Sequence, residues 1–165
     1  MGQEILILDN IRSAYNVGSI IRSSAAFGIT QIYCVGITPY PAIDNDPRLP
    51  HVVKQADKRI AKTALGAQAH ISFKHSDSIE PVIKQLKSDG MSIYALEQHP
   101  EARDLKTFKP KQPFALILGT EVDGISNQIL SLCDEIIEIK HSENKESLNV
   151  ASAAAIALYS LSEAK

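Results

Sequence analysis

Four short stretches of this chain hold residue types that can do chemistry. In NVGSIIRSSAAFG (16–28), a helix opened by Asn16 puts Val17, Ile20, Ile21, Ala25 and Gly28 on one apolar stripe and leaves Arg22 off it. One turn to either side of Arg22 stand Gly18, Ser19, Ala25 and Ala26, small enough for another backbone or a ligand to come close. A guanidinium is a permanently charged planar fork, suited to gripping phosphate and to stabilising negative charge, and ill suited to taking up a proton. Taken alone, the same residue reads as readily as a surface arginine on a solvated face.

In LILGTEVDGISNQ (116–128), Gly119 and Gly124 have the spacing of a phosphate-binding loop, but Ile125 stands where the lysine belongs, and Glu121 and Asp123 would repel a triphosphate. A nucleotide hydrolase of that type is therefore disfavoured. What remains is a strand, a glycine turn carrying two acids, and a helix starting near Ser126. It is either a plain connection or a place for a ligand whose polar groups are donors or cationic. In KESLNVASAAAIALYSL (145–161), Ser147 and Asn149 are both capable helix caps. The helix that follows is apolar on nearly every side, so it must be buried against the protein or a second subunit. In IAKTALGAQ (60–68), Lys62 and Thr63 precede Gly66, which is placed to end a helix.

The elements that position these stretches follow from hydrophobic pattern. Apolar runs at 4–8, 31–35, 70–73, 91–96, 114–118 and 135–139 read as strands. Helical patterns fall at about 16–27, 57–66, 77–88, 126–132 and 148–162, with Ser76 or Asp77 and Ser126 as caps. The alternation implies an α/β fold, a mainly parallel sheet with helices on both faces, and ligands bound beyond the carboxyl ends of the strands. The proline- and aspartate-rich stretch 37–52 reads as a long loop, either a substrate-facing lid or a disordered insertion.

The 165 residues suit one domain, 1–165, and 44% hydrophobic with 22% charged residues is an ordinary globular composition. No leader and no membrane-spanning run is evident in MGQEILILDN or beyond, so a cytoplasmic protein with reduced thiols is expected. Cys34 and Cys133 are far apart and the histidines form no paired-ligand pattern, so no metal site is expected. The formal charge of −2 excludes coating nucleic acid by bulk positive charge. Local clusters exist at Arg48, Lys54, Lys58, Arg59 and Lys62, and at Lys106, Lys109 and Lys111; either can meet phosphates, and either can be a solvated face.

Taken together, the stretches resemble the three motifs of the SpoU, or TrmH-like, family of RNA ribose methyltransferases, in the SPOUT superfamily. The matching residues are Asn16, Gly18 and Arg22; then LILGTEVDGIS with Gly119, Glu121 and Gly124; then Ser147, Leu148, Asn149 and Val150 before an alanine-rich helix, in the family's order and across nearly the whole chain. The resemblance implies a C-terminal trefoil knot, a homodimer, S-adenosylmethionine bound in the knot, and methylation of a ribose 2′-hydroxyl in transfer or ribosomal RNA. It assigns catalysis to Arg22, with Asn16 and Glu121 orienting it and the ribose, and Ser147 and Asn149 shaping the place where cofactor meets substrate. It assigns cofactor contacts to Leu118, Gly119, Ile139 and Leu148, largely through backbone. Base methylation by the same fold, or a non-catalytic RNA-binding or assembly protein, are the alternatives. The chain departs from the family pattern at IEIKHSENKESLN (137–149), where Glu138 replaces a proline and no glycine is present.

Overall fold

Strand β1 (Glu4–Asp9) lies inside a seven-stranded parallel sheet whose order is β3-β2-β1-β6-β4-β7-β5. The other strands are β2 (Gln31–Val35), β3 (Ser72–Ser76), β4 (Ser92–Leu96), β5 (Arg103–Asp104), β6 (Phe114–Leu118) and β7 (Glu135–Glu138). The helices are α1 (Ala14–Ala26), α2 (Pro50–Ala64), α3 (Glu80–Ser88), α4 (Asn127–Leu130) and α5 (Val150–Glu163). This computed structural model describes residues 4–120, 122–140 and 147–163. The path of 141–146, on which the implied knot depends, and the site candidate Glu121 lie outside the described residues.

The continuous apolar runs of β1 and β6 are explained by burial on both faces, as parallel strands require. Leu6, Leu8, Phe114, Leu116 and Leu118 join one core with α1, α2 and α5; Ile5, Ile7, Ala115 and Ile117 join the other with α3 and α4. Each fully buried aliphatic side chain contributes about 1.5–3 kcal/mol.

Helix α1 starts earlier than the pattern suggests. Ser13 is its cap, its Oγ accepting from Asn16 N at 3.2 Å, so Asn16 lies inside the first turn and is not the capping residue. Val17, Ile20 and Ile21 are buried as expected, whereas Gly28 falls past the helix end, exposed at φ +82°. Gly18 is a packing residue: a Cβ there would overlap Thr63 Oγ1 and the carbonyl of Ile60 on α2. The two helices are further tied by Thr63 Oγ1, which donates to the Tyr15 carbonyl at 2.8 Å. The 60–68 stretch is thus the α2 end that grips α1, with Leu65 and Gly66 both left-handed after its last turn.

Other boundaries also differ. The strand expected at 70–73 is Ser72–Ser76, preceded by a 3₁₀ turn at Ala67–His70; as an edge strand it needs no continuous apolar run. Helix α3 begins at Glu80 behind Ile79, and neither Ser76 nor Asp77 caps it, because Ser76 Oγ donates to the Ser78 carbonyl instead. Two-residue β5 is too short to leave a pattern.

The 37–52 stretch is not a disordered insertion: its end is the start of α2, at Pro50, and the loop before it is pinned by Arg48. That guanidinium pairs with Asp46 at 2.6 Å, donates to the carbonyls of Tyr40 and Pro41, and lies 3.5 Å from the centroid of the Tyr40 ring. Tyr40 in turn stacks on His75 of β3. Hydrogen bonds from Arg48 hold the Asp46 carboxyl well below the usual carboxylate range. A depressed folded-state value means that the pair stabilises the loop fully above the unfolded carboxylate pKa of about 3.9 and loses that contribution as pH falls below it. Asp46→Asn should remove it at every pH: limited proteolysis at pH 7 is expected to cut within 37–49 in the variant and to leave the wild type intact there. Gly18→Ala should destabilise the protein by about 1–3 kcal/mol through overpacking, read as a lowered midpoint in urea.

Candidate active site

Three neighbouring strands, β6, β4 and β7, end side by side, and beyond their carboxyl ends is a cavity of about 410 Å³. Leu96, Leu118, Ile139, Leu148, Val150 and Ala153 give it apolar walls, and Glu97, Gln98, Gly119, Thr120, Asp123, Gly124 and Ser147 bring polar atoms and backbone. Size and lining suit an organic ligand of moderate size with a few fixed polar groups.

The glycine turn makes this opening possible. Gly119 has no room for a side chain, since a Cβ would press on Ile125 and the Gly124 carbonyl. Gly124 adopts φ +65°, and a Cβ there would fall on the Glu97 carboxylate. Thr120 closes the turn from inside: its carbonyl accepts from Gly124 N at 3.2 Å and its Oγ1 from Asp123 N at 2.9 Å. Ser126 caps α4 as expected, accepting from Ile129 N. Glu97, at the end of β4, accepts from its neighbour Gln98 N at 2.9 Å and, across the gap, from Ile125 N at 2.8 Å.

Asn149 caps α5, its Oδ1 accepting from Ala151 N at 2.9 Å, and its amide donates to Asn16 Oδ1 at 3.2 Å. One side chain thereby fixes the start of the C-terminal helix and ties it to the first turn of α1. Ser147 does not cap the helix; it lines the cavity.

The expected cofactor contacts Leu118, Gly119, Ile139 and Leu148 all meet in this one cavity, with Ser147 beside them. Asn16 and Asn149 meet each other. Arg22 does not reach the cavity: it lies six residues beyond Asn16, about 9 Å along the axis, exposed and without a hydrogen-bond or ion-pair partner among the described residues. Leu96, Glu97 and Gln98 are site residues that motif reading missed; the signal for them is their place directly after a strand run, where parallel sheets bind ligands. No histidine lines the cavity, and burial pushes the Cys34 thiol up to about 12 and Cys133 up to about 11, so neither supplies a thiolate near neutral pH. Among the described residues no cluster of side chains could hold a metal ion, and no helix is long and apolar enough to cross a membrane.

Comparison with known proteins places the chain in a family. A sequence model of the SpoU rRNA methylase family matches residues 3–159. The chain belongs to the SpoU rRNA methylase family. A relative described as an uncharacterized tRNA/rRNA methyltransferase, from Archaeoglobus fulgidus, is 29% identical over 164 residues, spanning 99% of this SpoU chain and 66% of its own. The tRNA (guanosine(18)-2′-O)-methyltransferase of Thermus thermophilus is 25% identical over 154 residues, covering 93% and 71%. The crystal structure of the SpoU methyltransferase AviRb from Streptomyces viridochromogenes, in complex with the cofactor AdoMet, superposes with a TM-score of 0.77 at 26% identity, over 96% of this chain and 56% of that one. The SpoU chain thus spans roughly two thirds of the Archaeoglobus relative and little more than half of AviRb.

Replacing Glu97 by Ala leaves two turn amides without their acceptor. Glu97→Ala should lose about 1–3 kcal/mol in denaturant unfolding, and Glu97→Gln, which keeps one acceptor oxygen, distinctly less.

Proposed function

We propose that this SpoU chain is an S-adenosylmethionine-dependent methyltransferase acting on a ribose 2′-hydroxyl of transfer or ribosomal RNA, as a homodimer. The observation that carries the reading is the cavity at the strand ends, where the glycine turn and the segment before α5 come together and to whose edge Asn149 ties the arginine-bearing helix.

The cavity suits the methyl donor in chemistry as well as in size. Leu96, Leu118, Ile139 and Leu148 offer an apolar cleft for a flat base, strand-end backbone groups offer hydrogen bonds at its edge, and Asp123 offers negative charge near a cationic group. When bound, the donor supplies an electrophilic methyl group on a sulfonium. The protein's task is then to bring a hydroxyl in line with that methyl and to favour loss of the hydroxyl proton. Arg22 grips the phosphate next to the target ribose and stabilises charge developing on the 2′-oxygen. Asn16 and Asn149, locked to each other, hold the start of α1 in register with the cavity.

The outward surface around Arg22 supports its acting across a dimer. Tyr15, Ser19, Arg22 and Ala26 recur on one outward stripe of α1, and on the adjacent α5 Ile156 and Tyr159 are 44% and 53% exposed although apolar or aromatic. A partner seated on this face covers the aromatic surface and carries Arg22 toward the other subunit's cavity.

Purified protein incubated with radiolabelled methyl donor and total RNA should label RNA. Nuclease and alkali digestion should leave the label in an alkali-resistant dinucleotide, the mark of a 2′-O-methyl group; label in a base would overturn the ribose assignment. Arg22→Ala should lower transfer by at least a hundredfold while calorimetric donor affinity stays within about twofold of wild type, an electrostatic loss of the size seen when one such donor is removed. Absence of donor binding in the wild type would favour a non-catalytic RNA-binding protein instead.

A further inference from the structure

We propose that the solvent-facing side of α2 is the surface on which the phosphate backbone of the substrate RNA docks; the inference rests on the reading of the chain as an RNA methyltransferase. His51, Lys54, Gln55, Lys58, Arg59 and Lys62 recur at helical spacing on one side of this helix, and all are exposed. From Lys54 to Lys62 the row is about 12 Å long, enough to meet successive phosphates of one strand.

These charges are not neutralised. Lys54, Lys58 and Arg59 have no hydrogen bond or ion pair with any described residue, in contrast to Lys87, Arg103 and Lys140, which pair with carboxylates. The one acid of α2, Asp57, lies off this face, its Oδ1 accepting from Ala42 N at 2.9 Å. Arg48, close in sequence to the row, is taken up by Asp46 and does not belong to the surface. In a chain of formal charge −2, a row of unpaired cations is a departure from the rest of the molecule.

The row also leads to the right place. Lys62 Nζ donates to the Tyr15 hydroxyl at 3.3 Å and lies 5.6 Å from that ring's centroid. The next residue, Asn16, is bonded to Asn149 beside the cavity, and Arg22 is two turns beyond Tyr15 on the same outward stripe. A strand lying on α2 therefore runs onto the stripe of Arg22. The competing cluster of Lys106, Lys109 and Lys111 starts near the carboxyl end of β7, where Leu105 N donates to the Glu138 carbonyl, but it leads away from the site: its segment runs back to the amino-terminal end of β6, where the Pro113 carbonyl accepts from Ser92 N.

The test is binding of unfractionated transfer RNA and of total ribosomal RNA by the whole chain between 50 and 200 mM salt. The triple variant Lys54→Gln, Lys58→Gln, Arg59→Gln should bind on the order of 10- to 100-fold more weakly, and its slope of log affinity against log salt should shrink by about 2–3. KM for RNA should rise with kcat and donor affinity kept, and Lys54→Arg with Lys58→Arg should behave as wild type. Lys58→Gln alone, expected to reduce the slope by about 1, reads the same property with little risk to the fold. The triple Lys106→Gln, Lys109→Gln, Lys111→Gln should bind normally. Wild-type affinity and slope in the α2 triple, or an equal loss in both triples, would overturn the proposal. Wild-type protein that binds RNA through α2 but never transfers a methyl would leave the docking surface standing and remove the methyltransferase reading.

Discussion

One carboxylate holds the candidate site open. Glu97 accepts amides from its own strand end and from the far side of the glycine turn, bridging the connections that follow β4 and β6. The adjacent parallel strands β4 and β6 leave the sheet side by side, and without a brace their following segments would be free to collapse into the space between them. Steric constraint works with the hydrogen bonds: Gly124 approaches Glu97 so closely that only a residue without Cβ fits. Because the carboxylate is committed to backbone, the negative charge left to face a ligand among the described residues comes from Asp123, and the rest of the described lining offers mostly shape and backbone groups.

Helix α1 divides its surface among several tasks. Val17, Ile20 and Ile21 bury it against the sheet, Gly18 admits α2, Asn16 reaches α5, and the stripe of Tyr15, Ser19 and Arg22 is left outward. The small residues near Arg22, legible in the sequence as room for a close approach, thus have two different uses. Gly18 receives the protein's own second helix, whereas Ser19 and Ala26 flank the guanidinium on the open face. Arg22, about 9 Å along the axis from Asn16, is exposed and lines no part of the cavity.

The strand and helix order was readable because the sheet is parallel: strands buried on both faces are written as unbroken apolar runs, as in EILIL and FALIL. Where burial is one-sided or brief the writing fades. β3 is an edge strand, β5 has two residues, and the start of α2 is set by Pro50 after a loop whose order comes from one arginine, not from apolar periodicity. The candidate site divides in the same way. Leu118, Gly119, Ser147 and Leu148 were reached through matched motifs and Ile139 through the segment that departs from the pattern, but Glu97 and Gln98 belong to no motif, because their work is to brace and line, and many sequences can do that. The choice between the two basic clusters was beyond the sequence, since it depends on which one packs against α1.

Charge separation explains why cation and acid stand so far apart here. Arg48 and Asp46 show what happens when a guanidinium and a carboxylate are neighbours: each satisfies the other, and the pair becomes structural. Had Arg22 or the lysines of α2 been placed beside Glu97 and Asp123, they would have been neutralised in the same manner. By keeping Asp123 at the glycine turn and cations on the outward faces of α1 and α2, the fold leaves the two signs of charge unpaired with each other. The two must then meet at a boundary, and the hydrogen bond between Asn16 and Asn149 is at that boundary, made of uncharged groups that can be firm without disturbing either field.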